Sequence, residues 1–166
     1  SGMTDLVPDL AWHGDVLAAG RAGLAAGRTI WCDSRMVRAG IIERLLPPGV
    51  AVATSLDDPA VACLAAGLAT TRSAAAGELW RATLQDAVIA IGNAPTALFH
   101  LLERLAEWPE RPALILGFPV GFVGAVEAKE ALIAAPFDIP YVTLRGRRGG
   151  SAMAAAAVNA LLEASR

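Results

Sequence analysis

Short β-branched apolar runs alternate along this chain with longer amphipathic or alanine-rich stretches. Residues 15–26, "DVLAAGRAGLAA", have helical spacing, and Gly27 is placed to stop the helix. "RTIWC" then reads as a buried strand, and "DSRMVRAGI" as a short helix capped by Asp33 or Ser34. "VAVAT" (50–54) is the next strand. A helix is expected in "DDPAVACLAAGLA", where Pro59 takes an early position that needs no N–H, and another across "TRSAAAGELWRATLQ". "AVIAI" (87–91) and "ALILG" (113–117) are strands. Between them "TALFHLLERLAEW" sets Leu98, Leu101, Leu102 and Leu105 at helical spacing. "AVEAKEALIAA" is a helix, "YVTL" a strand, and the alanine-rich segment after Ser151 the last helix.

Strand and helix in regular alternation mean βαβ units and a mostly parallel sheet covered on both faces. The expectation is a single α/β domain over 1–166, with no linker, low-complexity tract or fixed-period repeat. At 166 residues the chain can bury roughly 70% of its unfolded surface without a staple. Composition agrees, with 55% hydrophobic and 18% charged residues, which excludes a disordered chain. No run of about 18 strongly apolar residues suggests a membrane span, and no basic, apolar-centred leader opens the sequence. The expected location is therefore cytoplasmic. A formal net charge of −2 gives no reason to expect a nucleic-acid partner. Cys32 and Cys63 stand apart and read as small core residues rather than metal ligands.

In parallel sheets ligands gather beyond the carboxyl ends of the strands. The strand-to-helix loops of this chain hold the unusual residues: "CDSRM", "IGNAPT", "LGFPVGFVG" and "LRGRRGGS". The helix-to-strand loops "PERP" and "FDIP" are plain by comparison, which points to one functional edge. In "GRRGGS" the glycines let backbone amides approach a ligand at a helix N-terminus, and Arg145, Arg147 and Arg148 supply charge. No acid lies between Asp138 and Glu163 to neutralise them locally, so the turn reads as an anion site rather than a solvated loop. It is not a Walker A loop, and the glycines at 117, 121 and 124 do not have dinucleotide-binding spacing. Phe118, Val120 and Phe122 in that second loop suggest an apolar face for something large and flat. "GNAPT" (92–96) reads as a helix-starting turn, with capping or ligand contact equally open. Arg72 opens a helix where a cation opposes the dipole, so it either meets a ligand or is a surface arginine. Glu127, Lys129 and Glu130 read as solvated charges, and His100, between Phe99 and Leu101, as structural. The residues by themselves describe an α/β domain that binds an anionic, partly apolar small molecule.

Five segments in order resemble the precorrin-8X methylmutase (precorrin isomerase) and cobalt-precorrin-8 methylmutase family. They are "CDSRMVRAGI" (32–41), "TTRSAAA" (70–76), "IGNAPTALFHLLE" (91–103), "PVGFVGAVEAKEAL" (119–132) and "GRRGGSAMAAAAVNAL" (146–161). The resemblance implies a flavodoxin-like three-layer sandwich, a homodimer and a place in cobalamin biosynthesis. It implies an isomerase that moves a methyl group from C11 to C12 of precorrin-8X, an anionic tetrapyrrole, to give hydrogenobyrinate. It implies no cofactor and no metal. Carried over by motif, the substrate-binding residues are Arg72, Asn93, Thr96, Arg147, Arg148, Gly149, Gly150 and Ser151. Asp33 and Met36 match as well, with a role as cap and core equally open.

The family's general acid is a histidine in an Ile-His-x-x-Gly-like segment, and "SGMTDL" (1–6) resembles the family's residues immediately after that histidine. The expectation is that the sequence starts just past the histidine, or that Ser1-Gly2 precedes a natural Met3. His13 is the nearest imidazole and stands as the candidate proton donor, although it is not at the family position. The alternative is a non-catalytic corrinoid-binding protein that kept the fold and lost the proton donor.

Overall fold

A computed structural model describes residues 2–165; Ser1, the first residue of the "SGMTDL" segment, lies outside them. The strands are β1 (Leu10–His13), β2 (Ile30–Cys32), β3 (Val52–Ala53), β4 (Val88–Ile91), β5 (Leu114–Gly117) and β6 (Tyr141–Leu144). The helices are α1 (Val16–Ala25), α2 (Arg35–Gly40), α3 (Ala60–Gly67), α4 (Arg72–Ala76), α5 (Pro95–Glu107), α6 (Ala125–Ala134) and α7 (Ser151–Ala164). The strands form one sheet in the order β1-β6-β5-β4-β2-β3. β2 to β6 run parallel, while β1 is antiparallel on β6. Leaving β1 aside, the order is the 2-1-3-4-5 winding of flavodoxin-like sheets.

The central strands are buried on both faces because successive side chains point to opposite sides. Val88 and Ala90 of β4 pack with Leu24 of α1, Val37 of α2 and Val158 of α7. Ile89 and Ile91 face the other way, against Leu98, Leu101 and Leu105 of α5 and Leu132 of α6. The result is three layers, with the leucine stripe of α5 where its spacing places it.

Three expectations are corrected, and one strand is added. "LAWH" forms an edge strand: its backbone pairs with β6 in full register, a long-range partner that local spacing does not reveal. The strand in 50–54 shrinks to Val52–Ala53 at the far edge. The helix expected across "TRSAAAGELWRATLQ" stops at Ala76 and tightens to a 3-10 helix over Gly77–Thr83. That tightening sets Trp80 fully into the core, where its Nε1 donates to Ser55 Oγ at 2.9 Å. Cys32 is buried, with desolvation pushing its thiol up to about 12, but Cys63 is exposed on α3.

Candidate functional site

The chain leaves β2 for β3 on one side and returns to β4 on the other, so the winding reverses between β2 and β4. A crevice must open there, because the loops after those strands diverge. It is an open cleft of about 540 Å³ lined by Ser34, Arg35, Met36, Leu56, Asp57, Arg72, Asn93 and Ser151.

Asp33, just past β2, braces the turn that carries Asn93 into the cleft. The carboxylate accepts from the amides of Gly92 (Oδ1, 2.9 Å), Asn93 (Oδ2, 2.9 Å) and Ala94 (Oδ2, 2.8 Å). Burial pushes this carboxyl above its ordinary value, and the three amide donors pull against that shift. The amides of Gly92, Asn93 and Ala94, which lead into α5, are thereby already satisfied by an internal anion. What these three residues can still offer a ligand is the Asn93 side chain. Gly92 has no room for a Cβ, which would come within 2.8 Å of Val37, Ser151 and Ala154. The same close approach draws α2, α7 and β4 together at this turn.

Hydroxyl pairs tie the helix starts around the cleft. Ser34 caps α2 and meets Ser151 Oγ at 3.2 Å, and Thr71 caps α4 and meets Thr96 Oγ1 at 2.8 Å. Arg72 donates to the Leu56 carbonyl at 3.2 Å. Arg35 grips Asp57 with both Nε (2.6 Å) and a terminal nitrogen. The Arg35 contact, with the charge of Arg72 adding to it, holds the Asp57 carboxyl below its usual range.

The "GRRGGS" turn is clamped from below. The Gly150 amide donates to Phe118 O at 2.8 Å, and a Cβ on Gly149 would overlap the carbonyl oxygens of Phe118 and Pro119. Lys129 is not a solvated charge: with 0% exposure, it donates from Nζ to Arg148 O at 2.6 Å, and burial pushes its ammonium below the usual lysine range. The arginines are less available than the sequence suggests. Arg148 pairs with Asp5 at 2.6 Å and Arg145 with Glu130 at 2.9 Å. Asp5 lies 143 residues away and Glu130 sits 15 residues back on α6, so counting immediate neighbours along the chain could not reveal either pairing. Arg147 has no such pairing among the described residues. The adjoining loop also divides: Phe118 is buried in the core, whereas Phe122 and Val123 are 91% and 89% exposed. The backbone bond from Val120 N to Asn93 O (3.4 Å) attaches that loop to the rim of the cleft.

Of the residues expected in the site, Arg72, Asn93 and Ser151 line one cleft, although they come from three separate loops. Thr96 stands beside it, and Gly149 and Gly150 hold Ser151 in place. His13 does not join them. It pairs with Tyr141 at the start of β6, so it lies at the amino edge of the parallel strands, roughly 10 Å from the carboxyl edge. There its Nε2 meets Asp138 Oδ1 at 2.9 Å. We expect His13→Ala to leave turnover within about twofold of the parent; a steady-state loss of tenfold or more would return the imidazole to the reaction.

Sequence reasoning missed Arg35, Asp57 and Lys129. Arg35 and Asp57 meet only through the parallel pairing of β2 with β3, which leaves no local trace. Lys129 did leave a trace: Ala125, Ala128, Lys129 and Leu132 form an i, i+3, i+4, i+7 stripe, and all four are buried.

A doubly wound sheet with an arginine- and hydroxyl-lined cleft at its switch point defines an α/β protein of the kind that holds small molecules beyond the carboxyl ends of its strands. Known proteins make the class specific. The sequence profile of the precorrin-8X methylmutase family matches residues 1–164. The precorrin-8X methylmutase of Pseudomonas aeruginosa is 58% identical over 160 residues, covering 96% of this chain and 77% of that protein. The cobalt-precorrin-8 methylmutase of Priestia megaterium is 35% identical, over 95% of this chain and 69% of its own length. The solved precorrin-8X methylmutase of Thermus thermophilus superposes with a TM-score of 0.84 at 35% identity, over 97% of this chain and 78% of that one. The chain belongs to the precorrin-8X methylmutase family, intramolecular transferases of cobalamin biosynthesis. No helix among the described residues is long and apolar enough to cross a membrane. Among the same residues, no group of three or more His, Cys, Asp or Glu side chains could hold a metal ion.

Proposed function

We propose that this chain moves the methyl group of precorrin-8X from C11 to C12, giving hydrogenobyrinate, or does the same to the cobalt-containing substrate. The observation that carries this reading is the convergence of Arg72, Asn93 and Ser151 on one cleft beside an exposed apolar loop. A carboxylate-fringed macrocycle has both chemistries. Arg72 and Arg147 take carboxylates, Asn93, Thr96 and Ser151 provide neutral donors, and Phe122 and Val123 cover the ring. The methyl leaves one ring carbon and bonds to its neighbour, so the protein donates no group. Its residues favour the rearranging state by holding the ring and its fringe in one orientation. We take 1–166 as one domain acting as a cytoplasmic homodimer. Exposed Trp12 on the outer strand β1 and Val7 in the 3-10 turn just before it support the dimer, whose mass light scattering reads directly.

The deciding experiment mixes the chain with precorrin-8X and follows the visible spectrum. Conversion to the hydrogenobyrinate spectrum is the expected result. A bound but unchanging precorrin spectrum would instead make the chain a corrinoid binder, and no binding would remove both readings.

A further inference from the structure

Among the described residues lining the cleft, Asp57 alone carries negative charge. A cleft built for a polycarboxylate has no evident use for a carboxylate of its own. Asp57 repels the ligand and occupies the Arg35 fork, the donor geometry that best fits a substrate carboxylate. Nor does the pair hold the fold together, since the Arg35 and Asp57 side chains are 75% and 44% exposed. Exposed pairs of this kind are weak and exchange readily.

We propose that Asp57 is an internal competitor for the substrate's carboxylates. It holds the Arg35 guanidinium while the cleft is empty, yields it to a carboxylate of the bound macrocycle, and reclaims it as product leaves. The swap replaces one bidentate pair with another, so little charge pairing is lost at any stage. Arg72, anchored on the Leu56 carbonyl beside Asp57, stays cationic throughout and keeps the exchange local. Asp57 thus tunes affinity downward and release upward. This inference rests on the substrate class given above, but its first test does not need that substrate.

The test compares the parent with Asp57→Asn, a near-isosteric change at an exposed position, and with Asp57→Ala. Citrate, a simple tricarboxylate, is titrated into each by calorimetry at low salt. Both variants are expected to bind citrate about fivefold tighter than the parent, with the gain shrinking at high salt. With precorrin-8X, KM and kcat are expected to fall together, because release slows as affinity rises. A merely structural Asp57 would raise KM instead, and would weaken citrate binding most in the alanine variant. Citrate binding that is unchanged, weaker or absent in the variants overturns the proposal, whatever the parent does with precorrin-8X. A parent that fails to convert precorrin-8X while its variants gain citrate affinity overturns the proposed reaction and leaves the role of Asp57 standing.

Discussion

Asp33→Ala is expected to cost about 4 kcal/mol of stability and to lower the melting temperature by roughly 10 °C. The reason is arithmetic on one carboxylate. Three backbone amides at the mouth of β4 find their acceptor in Asp33, and alanine leaves all three without one. Each orphaned amide costs about 1–3 kcal/mol when water cannot reach it. The Gly92 amide is the most enclosed; those of Asn93 and Ala94 are only partly buried, so water recovers some of the loss. Asp33→Asn is the informative companion. A carboxamide oxygen can serve the two amides that share Oδ2, but its NH₂ group then meets the Gly92 N–H donor to donor. A loss of about half the alanine value is expected, read by thermal or denaturant unfolding. If Asp33→Ala unfolds within about 1 kcal/mol of the parent, the carboxylate is not what holds the turn. Asn93 rides on this turn, so substrate affinity should fall in both variants before the fold is lost.

Gly149→Ala is expected to displace the "GRRGGS" turn, costing about 3 kcal/mol and at least about tenfold in substrate affinity. The added methyl would overlap two backbone carbonyl oxygens, Phe118 O and Pro119 O, at the end of a buried strand. Neither can swing aside as a flexible side chain would. Relief requires the turn to lift off β5, which breaks the Gly150–Phe118 bond and pulls Arg148 O from the buried Lys129 ammonium. That ammonium then loses its carbonyl acceptor inside the protein, an expensive outcome for a charge. Gly146→Ala provides the control in the same loop. Its Cβ meets nothing within 4 Å, so the cost is limited to about 1 kcal/mol for a left-handed backbone at φ +77°. Unfolding curves for the two variants, with precorrin-8X titrations of each, separate crowding from loss of glycine flexibility. Equal effects at 146 and 149 would mean that the clamp on β5 is not what shapes the turn.

Much of the architecture was legible because it is written in short-range periodicity. The apolar runs that became β4 and β5 are continuous because both of their faces are covered. The leucines of α5 recur at helical spacing because one face meets the sheet. The contrast between ornate strand-to-helix loops and plain helix-to-strand loops marked the edge where the cleft opens. Motif resemblance pointed to the family whose profile matches the chain, and it placed Arg72, Asn93 and Ser151 in loops that do converge.

The rest required distance in sequence to become proximity in space. "LAWH" is too short to announce itself, and it is a strand only because β6 offers a free edge. That pairing moves His13 to the amino end of the sheet, away from the cleft it was expected to serve. Arg148 has no local acid, yet Asp5 arrives from 143 residues away. Arg35 finds Asp57 only once β2 and β3 lie side by side. The amino-acid sequence by itself determined the central strands, the main helices and the edge that carries polar chemistry, because these follow from neighbours a few residues apart. The tertiary structure alone decided which charges are spent on one another and which remain for a ligand, because ion pairing depends on separation in space.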